Sequence, residues 1–152
     1  MKRQEFMELD DERLIWVSVE PFIEKARGRS GLEKLKVFGE LSDGQRALFM
    51  FQVLHGHMEH GTNGFYDHIA YLADQMDIWP ALRSGMRYFE AEGMIDFIGK
   101  MEEGFARRAE GRLDEAITEG IDEIYRKMIP VLVRDVAQRI RSHPEDFIRL
   151  DD

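Results

Sequence analysis

The sequence predicts an all-α fold: a single domain over residues 1 to 152, built as an irregular bundle of about seven helices. Three observations predict it. Apolar residues recur at spacings of three and four, whereas the period-two alternation of strands is missing. Helix caps and stops punctuate these stretches. The composition, 43% hydrophobic and 11% aromatic, suffices for one core without the help of a disulfide, since there is no cysteine.

The first helical stretch begins near Asp10 or Asp11, both good N-caps, and takes its apolar side from Leu14, Ile15, Val17 and Phe22. Pro21 is expected to kink it or to open a second helix at its first turn. "RGRSG" at 27 to 31 is a break, and "LEKLKVF" at 32 to 38 is a short helical piece. The clearest helix is "LSDGQRALFMFQVLHGHMEHG": Ser42 and Gln45 form a capping box, and Leu48, Phe51, Val53, Leu54 and Met58 give the buried stripe. Gly61 is a natural stop, and Thr62 or Asn63 can cap the next helix, which carries Phe65, Ile69, Leu72 and Met76. Pro80 starts another helix, with Leu82, Met86 and Phe89, and Gly93 is expected to end it. Met94, Phe97, Ile98, Met101 and Phe105 share one face of the helix after that. Leu113, Ile117, Ile121, Ile124, Met128, Leu132, Val136 and Ile140 form a long stripe that Pro130 is expected to bend or interrupt. "SHPEDF" at 142 to 147 is the exit signal.

The composition limits the functions. Zinc thiolate sites and thiol nucleophiles need cysteine. A membrane span needs about 20 consecutive apolar residues, and runs such as "ALFMF" are far shorter. No signal-peptide pattern opens the chain, and a cytoplasmic location is expected. The net charge of −9 opposes direct nucleic-acid binding. Residues 90 to 123 alone hold four basic and eleven acidic side chains, a net −7. No nucleophile elbow, phosphate loop or dinucleotide fingerprint is present, so no catalytic residue and no cofactor are assigned.

Four of the five histidines fall in "HGHMEHGTNGFYDH", residues 55 to 68. On a helix, Glu59 lies roughly 40° from His55, whereas His57 and His60 lie roughly 200° and 140° away, on the opposite face. The cluster therefore splits, and no single centre of four ligands can form from it. A metal-assisted hydrolase using His55, Glu59 and His68 is the alternative function. The simpler reading, with no metal site, is that these histidines favour the negative end of the helix.

The stretch "LSDGQRALFMFQVLHGHMEHGTNGF" resembles a bacterial family of all-helical domains, the DNA mimic protein nineteen type. Gly44, Gln45 and Arg46 match the family's helix start, Glu59 falls at its glutamate, and Gly64 and Phe65 match its turn. Asn63 stands at a glycine position of that turn. "YFEAEGMIDFIGKMEEGF" and "HPEDF" extend the likeness over about residues 40 to 147. The resemblance implies that Glu59, Gly61, Asn63, Gly64 and Phe65 form a structural elbow, with positive φ at Asn63 or Gly64 and with Glu59 accepting turn amides. It also implies a protein that presents carboxylates to a DNA-binding protein in place of phosphates.

The candidate surface for such contact is Glu102, Glu103, Glu110, Asp114, Glu115, Glu119, Asp122 and Glu123. The last four recur mostly at spacings of three and four, which stacks them on one side of a helix. The expected partner is a basic protein, a DNA-binding protein in the mimic reading, and a second copy of this chain is a further candidate.

Overall fold

Capping chemistry sets most of the helix starts in the computed structural model, which describes residues 1–70, 72–73 and 76–152. Helix α2 (Asp11–Ala26) follows Asp10, whose carboxylate accepts from the Arg13 amide at 2.8 Å. Helix α3 (Gly31–Glu40) opens on a Ser30–Glu33 capping box and α4 (Asp43–Met58) on the Ser42–Gln45 box. Asp114 caps α8 (Glu115–Ser142) by accepting from Ile117 at 2.9 Å. Each such cap is worth about 1 kcal/mol.

The remaining elements are α1 (Arg3–Met7), α5 (Gly61–Ile69), α6 (Ile78–Tyr88), α7 (Glu92–Ala109) and a 3-10 turn at Pro144–Asp146. The fold is all-α, with eight helices and no strand among the described residues. The added helix, α1, has five residues and one buried side chain, Phe6. It is held from far along the chain: Arg3 donates its amide to the Asp151 carbonyl, and the Asp151 amide donates to the Met1 carbonyl, both at 3.0 Å. No local pattern could announce it.

Pro21 lies inside α2 and opens no second helix, and Pro130 lies inside α8 and does not interrupt its 28 residues. Both helices are buried along one side, and this packing holds them through the hydrogen bond that each proline removes. Gly93 does not end a helix. The stop comes earlier, at Glu90 with φ 57°, and Gly93 sits in the first turn of α7.

Helix α4 lies at the centre, packed on α2, α5 and α6, while α8 covers α2, α5 and α7. Leu48, Phe51, Leu54, Phe65, Leu82, Phe89, Phe97, Ile98, Ile121 and Leu132 are buried, in keeping with their spacing. Leu72 and Ile117, expected in the core, are half-buried. Ile117 is in the first turn of α8, beyond the reach of full cover, and Leu72 follows the end of α5.

The Gly44-Gln45-Arg46 start of α4 is a junction. Gln45 donates to the Phe147 carbonyl at 3.1 Å, and Ser42 donates to the Asp146 carbonyl at 2.9 Å. A Cβ on Gly44 would lie 2.8 Å from the Tyr88 hydroxyl. Arg46 donates to the carbonyls of Phe38 and Gly39, at 3.1 and 2.7 Å. These bonds tie the C-terminal "HPEDF" segment and the end of α3 to one helix start.

Candidate functional site

The elbow between α4 and α5 forms, by different atoms from those expected. Glu59 ends α4 and Gly61 takes φ +80°, the one left-handed residue of the turn. Asn63 and Gly64 are helical, inside α5, so the expected positive φ at one of them is wrong. Glu59 accepts no turn amide. That role falls to Asp122 of α8, which accepts from the Thr62 amide at 2.8 Å and from the Thr62 hydroxyl at 2.5 Å. A carboxylate from a distant helix thus caps α5 at its positive end. Gly64 is needed for space, because a Cβ there would lie 2.7 Å from the His60 Cβ. Phe65 is fully buried beneath the elbow, edge-on to Trp79.

The histidines divide between two faces of α4. His57 stacks on His68 with ring centroids 3.4 Å apart. Burial, reinforced by His68 and His60, pushes its pKa down to about 4. Burial and then Lys34 also lower His68. His55 instead meets Tyr125 of α8, its Nδ1 2.7 Å from the hydroxyl, and its Nε2 lies 3.4 Å from a Glu12 carboxylate oxygen. His55 and Glu59 line one cavity, and His68 lines another groove with His57. The three side chains of the hydrolase alternative are therefore not brought together. Among the described residues no group of three or more His, Asp or Glu side chains is arranged to hold a metal ion.

The eight carboxylates of the candidate acidic surface have unequal situations. Asp114 and Asp122 are occupied as helix caps, and Asp122 is half-buried. Glu102 is held by Arg83 at 2.7 Å, Glu103 lies 3.9 Å from Arg107, and Glu110 pairs with Arg112. Glu123 pairs with Lys127 at 3.1 Å on the exposed side of α8. Glu115 and Glu119 are exposed, and their side chains make no ion pair or hydrogen bond among the described residues. Asp122 is absent from the exposed face because the cap at Thr62 joins residues sixty positions apart, which helical spacing cannot reveal.

Sequence reasoning also passed over Tyr125, Glu12 and Trp16. Tyr125 is buried four residues after Ile121, a spacing that could have placed it on the inner side of α8. Its partner His55 is seventy residues away. No known protein family, curated protein or solved structure matches this chain. No helix among the described residues is long and apolar enough to cross a membrane.

Proposed function

We propose that this domain is a protein-interaction module that binds a basic partner through carboxylates on the N-terminal half of α8. The observation that carries the reading is the stripe Glu115, Glu119 and Glu123, all exposed. Like charges four apart on a helix each disfavour it by about 0.2 to 0.5 kcal/mol. A basic partner would relieve that repulsion, and its approach would be steered by the field of the −7 segment. DNA mimicry is the specific form of this reading, in which carboxylates stepped about 6 Å along the helix stand in for phosphates in the partner's DNA-binding groove. Glu115 and Glu119 make no ion pair among the described residues and Glu123 pairs with Lys127 on the exposed side, whereas caps hold Asp114 and Asp122 and arginines hold Glu102, Glu103 and Glu110.

The test compares wild type with the triple variant Glu115→Lys, Glu119→Lys, Glu123→Lys in pull-downs from the native host. A triple glutamine variant accompanies it, because lysine at a helix N-terminus opposes the dipole. A basic protein should be held by wild type, be released at about 0.5 M salt, be displaced by duplex DNA, and be lost with both variants. Equal retention by both variants would overturn the reading.

A further inference from the structure

A second region, separate from the α8 stripe, has the chemistry of a binding site. Helices α2, α4 and α8 line an open cavity of about 230 Å³. Trp16 and Tyr125 supply aromatic surface, Glu12 and Glu59 supply carboxylates from two different helices, and Gln52 and His55 complete the polar lining. Among the described residues no lysine or arginine lines it.

Three features give this cavity a preference for positive charge. The first is its two carboxylates. Glu59 is exposed and makes no hydrogen bond or ion pair among the described residues, whereas Glu12 sits in the first turn of α2, where the dipole favours an anion. Second, the cavity opens at the last turn of α4, the negative end of that helix, where a carboxylate is disfavoured unless a cation accompanies it. Third, aromatic faces attract cations, most strongly where water is partly excluded. The buried Tyr125 hydroxyl has its pKa raised, by burial first and then by Glu12 and Glu59, so both carboxylates act on the cavity floor.

The floor is also ordered in advance. Tyr125 is held by His55 at 2.7 Å, and the His55 ring lies against Phe51 with centroids 5.4 Å apart. Gly56 lies on the cavity wall inside α4, where glycine costs about 1 kcal/mol relative to alanine. A Cβ there would meet nothing firmer than the Gln52 amide, at 3.1 Å, so backbone packing does not demand glycine. Its effect is to leave the space open.

From this convergence we propose that the α2–α4–α8 cavity binds a small organic cation, an amine or guanidinium compound. The ammonium or guanidinium group would sit between the Glu12 and Glu59 carboxylates, with its carbon chain against Trp16 and Tyr125. Inorganic cations fit less well, because the Glu12 and Glu59 carboxylates and the Gln52 amide fall short of the roughly six to eight oxygen ligands that calcium takes.

The experiment follows the Trp16 indole N–H resonance of the intact protein, assigned by its loss in Trp16→Phe, during titration with putrescine and with guanidinium. Sodium acetate is the control. Saturable shifts with Kd below about 10 mM are expected for at least one cation. Glu59→Gln should weaken binding at least tenfold with unchanged thermal stability, and Gly56→Leu should abolish it by filling the cavity. If Gly56→Leu fails to fold, Glu12→Gln gives the second reading, again with a loss of tenfold or more. Unsaturable shifts for both cations, equal shifts with acetate, or full affinity in Glu59→Gln would overturn the proposal. None of these outcomes depends on Glu115, Glu119 or Glu123, so the site and the interaction stripe stand or fall separately.

Discussion

Acidification should loosen the contact between α4 and α5 through His57. This ring stacks on His68, and its pKa is lowered from 6.5 to about 4 by burial and by its histidine neighbours. A lowered value means that the fold favours the neutral ring. Its contribution is complete above the unfolded value of 6.5 and is lost as pH falls toward 4. Between pH 7.5 and 5.0 the shift alone corresponds to about 2 kcal/mol. The ring is only half-buried, so solvent screening reduces this to about 1 kcal/mol. For a chain of this size that is a change in Tm of about 2 to 4 °C. The assay is urea unfolding of wild type and His57→Gln at both pH values. The double difference cancels the contributions of groups that do not act on His57. Wild type should lose about 1 kcal/mol more than His57→Gln on acidification. An equal loss in the two proteins, or a smaller one in wild type, would refute the reasoning.

Three substitutions test the packing around the elbow. Asp122→Ala removes both acceptors of Thr62 and should cost about 1 to 3 kcal/mol in chemical denaturation, with α5 amides exchanging faster. Gly104→Ala places a methyl group against the Tyr66 hydroxyl, which donates to the Met101 carbonyl at 2.7 Å; a loss of about 1 to 3 kcal/mol is expected in the same assay. Gly64→Val should cost a similar amount through its clash with the His60 Cβ, and an unchanged Tm would contradict that geometry.

What the sequence revealed and what it hid divide along the range of the interactions. The Ser42–Gln45 box and the Asp10 cap are contacts three residues long, and residue type alone identifies them. The helical period placed Phe51, Leu54, Phe97 and Ile98 inside because one face of a helix must meet the core. The elbow was located, since glycine and a cluster of polar residues follow an apolar stripe. Its φ assignment failed because Asp122, far along the chain, caps α5 and leaves Gly61 as the only residue that must turn left-handed. The charge excess of residues 90 to 123 is legible in the sequence. Which carboxylates remain unpaired depends on where Arg83, Arg107 and Thr62 come to lie, and only the tertiary fold decides that. The cavity between α2, α4 and α8 was invisible for the same reason: Glu12, His55 and Tyr125 come from three distant segments.

The most direct test of the interaction stripe is a hydrogen-exchange footprint. The basic protein captured by wild type is purified and bound, and amide exchange of this domain is compared with and without it. Slower exchange is expected across residues 110 to 123, together with loss of the footprint in the glutamine variant of Glu115, Glu119 and Glu123. Protection confined to the groove around Phe49, Val53 and His57, with 110 to 123 unchanged, would contradict an interaction made through the carboxylates of α8.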